Sequence, residues 1–401
     1  MSLPRVKINF QNGALGSTSP SDDGVTGLVA SGVAVAGKFV LGTAYLITSL
    51  DKLTGLGITS DIADANANIY KSVKEFYNEA PNGTKLWILG ALNTVSVADL
   101  VDKTKAYAKT LIQSAKGAIN LLIISKTDPA GYAPIMLDAL DSDIYTAMTN
   151  AQALAQWATD SLYAPFLTIL EGRHYSGVAS SLRNLTTGTN NRVVIFIGDT
   201  IIGSTGASIG LIAGRIAAIP VQRSIARVKS GAISMETLFI GAKTPENGDP
   251  DIINDAGFVT FRTFVGKSGY FFTDDKLATA AADDYALIPR RRVIDKAYRY
   301  AYQTLVNELG DEIPLADDGT MPAAIVKSIQ NTVETAIENN MTAFGNLGND
   351  PSNAKDTGVT CFIDHRQNIV ANSLLVINLK VKPFGYAKYI DVYLGFKTTT
   401  V

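Results

Sequence analysis

Gly206-Ala207-Ser208-Ile209-Gly210 spells G-x-S-x-G, the pattern that in α/β hydrolases lifts a nucleophilic serine above a strand-to-helix turn. An acyl-transfer site on Ser208 needs a carboxylate and then a histidine downstream, and His365 stands in that order. The flanks point elsewhere. The preceding strand ends near Gly198, Asp199 to Thr205 intervene, and His365 sits in the polar, turn-like stretch Asp364 to Asn368. The other reading is a helix start with Ser208 near its cap and glycines placed for close packing. A serine hydrolase of α/β type using Ser208 is therefore the alternative to be tested.

Gly32 to Lys38 matches a phosphate-binding loop up to its last position. There Phe39 replaces the Ser or Thr hydroxyl that magnesium requires, and Phe39 to Ile47 reads as a strand, not a helix. Asp274-Asp275, Asp283-Asp284 and Asp317-Asp318 read as turn formers and solubilising charges; Asp317-Asp318-Gly319 lacks the calcium-loop spacing. One cysteine, Cys361, and two histidines, His174 and His365, make no usual structural zinc site and no internal disulfide. Cys361 reads as a small core residue. No cofactor or metal is expected.

Arg290, Arg291, Arg292, Lys296 and Arg299 crowd one helix start, where cations oppose the helix dipole. They read either as a basic patch for an acidic protein surface or as a solvated face paired with carboxylates such as Asp295 and Glu308. Over 401 residues the formal net charge is -2, which argues against a nucleic-acid footprint. Only 18% of residues are charged, fewer than in an average soluble chain, which suits extensive buried or interfacial surface. Met1 to Phe10 has no signal-peptide pattern, and Lys38, Asp199 and Arg215 interrupt the most apolar stretches. A soluble protein of two or three domains, folded in the cytoplasm and not inserted in a membrane, is expected.

The elements that must position these residues alternate along the chain. Val6, Ile8 and Phe10 alternate with Arg5, Lys7 and Asn9 in a short strand, and Gln11 to Gly24 reads as a flexible tether. Val25 to Ile47 reads as two or three strands, Ala65 to Glu79 as a helix and Leu86 to Gly90 as a buried strand. Helices Val97–Ala115, Ala147–Ser161 and Val178–Leu185 each lead to a continuous apolar strand, at Asn120–Ser125, Pro165–Leu170 and Arg192–Gly198. That rhythm predicts a mostly parallel sheet covered on both faces. A helix over Ser208 to Ala218 and a hairpin around Gly266 to Gly269 follow. The last part predicts helices from Pro289 and over Pro322 to Met341, then strands Val359–Ile363, Leu374–Val381 and Tyr386–Phe396. In the final run Ile390, Val392, Leu394 and Phe396 share one face. So apolar a strand near a chain end is either buried in its own domain or pairs with another copy.

Several blocks make the chain resemble contractile tail sheath proteins of phages and related injection systems. They are Tyr45 to Leu53 with Leu56-Gly57-Ile58, Val73 to Tyr77, Asn82-Gly83 and Lys85 to Ile88; Gly210 to Arg215 with Ile219-Pro220-Val221; and Arg291 to Asp295 with Val381 to Ile390. The resemblance implies an α/β fold in which the N- and C-terminal parts, 25–94 and 285–385, co-fold into an inner domain. It places 95–284 in a middle, outward α/β domain and makes 1–24 and 386–401 extended arms. It further implies strand exchange, with Val6, Ile8, Phe10 and Ile390, Val392, Leu394, Phe396 added to neighbours' sheets. The expected product is a six-fold helical homo-polymer around an inner tail tube protein, ended by baseplate and tail terminator proteins. It would be assembled in the bacterial cytoplasm into a virion tail or injection-system particle. Contraction from a metastable extended state would drive the tube through a target envelope, with no enzyme activity and no nucleotide. The basic helix, Arg290, Arg291, Arg292, Lys296 and Arg299, is the candidate tube-facing element. A third reading is a non-contractile structural or capsid-associated protein, which would self-assemble without two distinct lattices.

Overall fold

Six short apolar runs pair into one sheet: β1 (Thr26–Ser31), β2 (Ala44–Ile47), β3 (Leu86–Ala91), β4 (Leu121–Ser125), β5 (Leu167–Glu171) and β6 (Val193–Phe196). The computed structural model describes residues 22–60, 65–317, 319–367 and 369–394. The strand order is β2-β3-β1-β4-β5-β6. All neighbours are parallel except the edge pair, where β2 runs antiparallel to β3 with Ala44 opposite Leu89.

Alternate residues of each strand serve opposite faces, and both faces are dry. Val29, Leu122, Ile124, Leu170, Val193 and Ile195 pack on one side with Leu111, Ile112 and helix α2 (Asp143–Leu162). Leu28, Ile123, Ile169, Val194 and Phe196 pack on the other with α1 (Ala67–Glu79) and α3 (Ile209–Ala218). Burial on both sides is why the runs are continuously apolar and do not alternate with polar residues. The predicted parallel sheet is therefore found. Its six strands come from both 25–94 and 95–284, so residue 95 does not divide two sheets.

Two predicted helices are shorter than their apolar spacing suggests. Val97–Ala115 breaks into Val97–Leu100 and Ala108–Ser114, because Asp102 turns its carboxylate onto the Thr104 amide (2.7 Å) and ends the first piece. Val178–Leu185 is reduced to 3-10 turns at Ala179–Ser181 and Leu185–Thr187, the second opened by the Asn184 side chain on the Thr186 amide. The hairpin forms as β7 (Phe261–Phe264) and β8 (Lys267–Phe272), tighter than expected, with Gly266 at φ 76° in its turn.

The chain divides into two compact units, one reaching to Arg299 and one beginning at Tyr300. Helix α4 (Ile288–Leu305) closes the first unit and carries the chain onward. The second unit holds α5 (Ala323–Ile337), β9 (Val359–Phe362) and β10 (Asn378–Val381), around a small core of Met321, Val326, Ile329 and Ile363. β9 and β10 are antiparallel, Val359 opposite Val381 and Phe362 opposite Asn378. The expected strand Leu374–Val381 is confined to its second half.

Candidate functional site

The second unit combines an open two-stranded sheet with a long exposed tail. In the ladder of β9 and β10, Gly358 takes the Lys382 amide, so by alternation Val359 and Cys361 turn their backbone groups away from β10. The Cys361 amide is met there by Glu334 of α5 at 2.8 Å. On the far strand the same alternation turns Leu379 and Val381 outward. Cys361 itself is buried, as its flanks predict, and burial pushes its thiol pKa up.

Beyond Lys382, which is tied to Asp356 at 2.7 Å, the chain leaves the sheet. Tyr389, Ile390, Val392, Tyr393 and Leu394 are 76–97% exposed and belong to no ladder. Over Tyr389–Leu394 the predicted strand therefore joins no ladder among the described residues. Phe396 lies outside the described residues, as do Val6, Ile8 and Phe10.

The basic helix is not an open patch. Arg291 and Arg292 are buried, and Asp295 bridges Arg192 (3.0 Å) and Arg291. Arg292 donates to the carbonyls of Ile219 (3.2 Å), Pro220 (3.4 Å) and Asp23 (3.4 Å). Arg299 donates to the carbonyls of Gly117, Ile119 and Pro165 (2.6–2.8 Å), and Lys296 pairs with Asp23 at 2.7 Å. Arg290 is half-buried. These cations cement α4 to loops that precede β1, β4 and β5, so Arg291, Arg292 and Arg299 offer no basic face to a partner. Sequence reasoning named Asp295, which Arg291 does meet, but missed the partners of Arg292, Lys296 and Arg299, which lie 72 to 273 residues away.

Ser208 is fully buried. Its Oγ accepts from Lys71 Nζ and the Thr200 amide, both 3.0 Å, and lies 2.8 Å from Glu75 and 3.1 Å from Asp199. Lys71 sits 2.9 Å from both carboxylates. Burial pushes the Glu75 carboxyl up, against the pull of Lys71. At Asp199 burial acts in the same direction, but Lys71, Ser204 and the Ile201 amide outweigh it and hold the carboxyl down. Two carboxylates share one ammonium here, and their pKa values are pushed apart. Among the described residues no imidazole touches Ser208, and Gly210 serves packing against α1.

The carboxyl ends of β1 and β4, where open α/β sheets hold ligands, are filled by the chain itself. Glu171 accepts from Ser125 (2.8 Å) and the Lys126 amide (3.1 Å) and pairs with Arg173 (2.8 Å), which also holds Asp128 (2.7 Å). His174 meets Asp128 at 3.0 Å. After β1, Asn66 takes the Val33 amide (2.8 Å), Val35 bridges Phe39, and Phe39 is buried in the core. The Gly32 to Lys38 loop thus forms a closed turn whose Val33 amide is already taken. Asp274 and Asp275 are buried and do not act as solubilising charges; Asp283 does form a turn, accepting from the Tyr285 amide at 2.8 Å. Among the described residues no cluster of metal-ligating side chains and no helix long and apolar enough to cross a membrane occurs.

Two family models match the chain: DUF2586, N-terminal domain, over residues 3–276, and DUF2586, C-terminal domain, over 284–400. No curated protein matches it. Among solved structures, the contracted helical sheath of the anti-feeding prophage is similar over 98% of this chain and 99% of its own, with a TM-score of 0.61 and 17% identity. The sheath complex of the PVC extracellular contractile injection system, also contracted, covers 98% of both chains with a TM-score of 0.61 and 14% identity. The sheath tail protein Lin1278 of Listeria innocua covers 92% of this chain and 94% of its own, with a TM-score of 0.53 and 11% identity. The mixed α/β fold found here is that of contractile sheath subunits.

Proposed function

The chain belongs to the DUF2586 family and shares the fold of contractile sheath subunits, and on that premise we propose that it is a structural subunit of a contractile sheath, joined to its neighbours by exchanged strands. The observation that carries this reading is the exposed apolar tail Tyr389–Leu394 in the unit that also holds the open β9–β10 sheet. A tail that alternates at period two needs a sheet edge, and the outward backbone groups of Leu379 and Val381 offer one to a neighbour's tail. Each backbone bond contributes only about 0.5–1.5 kcal/mol, so several in register are needed to hold a copy. Donation from one copy to the next is a heterologous contact, which builds rings or helical filaments.

In this reading the arms keep subunits connected while their bodies exchange packing. The polymer surrounds an inner tube, ends on baseplate and terminator proteins, and moves the tube by passing from an extended to a contracted lattice. It belongs to a tail or injection particle assembled in the bacterial cytoplasm. Neither nucleotide nor catalysis is involved.

Negative-stain electron microscopy of the purified full chain tests the reading. Hollow striated tubes are the expected result, with a second lattice when the chain is grown on the tube protein. Uniform monomers at high concentration with both termini intact overturn it. An activated phosphonate should leave Ser208 unlabelled, because its hydroxyl is buried and no imidazole among the described residues touches it.

A further inference from the structure

The described chain begins with a tight 3-10 turn, Asp22–Gly24, seated on the end of α3: a Cβ at Gly24 would come within 2.6 Å of the Ala217 carbonyl oxygen. The tether expected to run to Gly24 is therefore anchored from Asp22 onward. Three side chains, two of them on α4, hold the turn. Asn120 donates to the Asp22 carbonyl (2.9 Å), Lys296 of α4 pairs with the Asp23 carboxylate (2.7 Å), and Arg292 of α4 reaches the Asp23 carbonyl (3.4 Å). The Lys296–Asp23 pair is largely shielded from water, with side chains 11% and 19% exposed. The Asp22–Lys85 pair beside it is open, at 86% and 50%.

Arg292 is buried, and burial pushes its pKa down to about 10. Among the described residues, the carboxylate whose field opposes that shift is Asp23. Helix α4 thus keeps two cations under the turn, and the turn supplies the negative charge that makes their burial tolerable. A buried cation that loses its counter-charge is strongly destabilising.

We propose that Asp23 is a latch coupling the take-off point of the N-terminal segment to helix α4, so that neither leaves the sheet without loosening the other. The take-off point at Asp22 and helix α4 are then rooted in one ionic node. Pulling the turn away takes the Asp23 carboxylate from Arg292 and Lys296, and lifting α4 takes the Lys296 ammonium from Asp23. Coupling of this kind is reciprocal by thermodynamic necessity. It is a property of the single chain and stands whether or not the sheath reading does.

Hydrogen exchange by mass spectrometry on the unassembled full chain tests it. In Asp23→Asn, amides of Ile288–Arg299 should exchange about tenfold faster, while those of β4 and β5 stay as in wild type. Asp22→Asn, which opens only the exposed pair, should leave α4 unchanged. Lys296→Met should give the reciprocal result, faster exchange at Asp22–Val25. Unchanged α4 exchange in Asp23→Asn, equal acceleration of all segments, or a Lys296→Met effect that never reaches Asp22–Val25 overturns the proposal. Should Asp23→Asn not fold, Lys296→Met decides alone.

Discussion

Gly210 rests on the backbone of Ser72: a Cβ at residue 210 would lie 2.2 Å from the Ser72 carbonyl oxygen, and one at Gly214 would lie 2.4 Å from that of Phe76. Helices α1 and α3 meet along this pair of glycines one turn apart. Gly210→Ala or Gly214→Ala must push the helices apart, and each should destabilise the first unit by about 3 kcal/mol, at the upper end of overpacking. Gly206, the first glycine of the serine motif, has its nearest neighbour at 3.4 Å, so Gly206→Ala should shift Tm little. Thermal melts of the three variants check the contrast.

The shared ammonium of Lys71 predicts a pH signature. Burial raises the native Glu75 pKa above its ordinary 4.5, so the native state binds that proton more tightly than the unfolded chain. Stability from this group is therefore greatest at low pH and is lost as pH rises through the window above 4.5. Asp199 acts oppositely: its pKa is held below 3.8, and its contribution is lost only as pH falls below that value. In Glu75→Gln the first slope disappears, so Tm of the variant minus that of wild type should rise between pH 4.5 and 7. Parallel curves would refute the assignment.

Asp295 stands between two buried guanidinium groups, Arg192 and Arg291. Asp295→Ala leaves both without their shared carboxylate and should cost about 3–5 kcal/mol. The double variant Arg192→Met, Asp295→Leu should lose less than the two single changes summed. Denaturant melts of the cycle measure that difference.

The exposed tail should be dispensable for folding and required for assembly. Val392 is 78% exposed and in no ladder, so Val392→Pro should leave the melt of the isolated chain unchanged. Proline removes a backbone donor and is excluded from paired strand interiors. Tubes should therefore shorten or vanish under the microscope. Normal tubes from Val392→Pro would remove the tail from the assembly contact.

The strands were legible because a parallel sheet buried on both faces demands uninterrupted runs such as Leu121–Ser125 and Val193–Phe196. Their order was not, since crossover connections leave no local trace. The cations of α4 were misread for a related reason: Lys296 finds Asp23 far back in the sequence, and the terminal nitrogens of Arg299 are held by three carbonyls of remote loops. A carbonyl has no residue type, so nothing in the composition marks it as a partner. Ser208 shows the converse. Its motif is present, but the glycine that suggested an elbow is needed for the close approach of α3 to α1, and the hydroxyl is held by Lys71, Glu75, Asp199 and Thr200. In the tail the alternation of Ile390, Val392 and Leu394 was readable, while a partner strand is not supplied by this chain's described residues.

The sheet edges are treated unequally. The outer side of β6 is occupied by Val259, which exchanges backbone bonds with Ile195 and Ile197 (2.9–3.1 Å), and β2 on the opposite edge spans only four residues. The inviting edge, at Leu379 and Val381, sits in the small unit, whose core is its own. A neighbour's strand docking there, as proposed, would pair within a unit that has its own small core. Mistaken pairings can be undone there by local opening, at a fraction of the free energy of global unfolding. In the proposed assembly, errors of association at that edge would then be correctable.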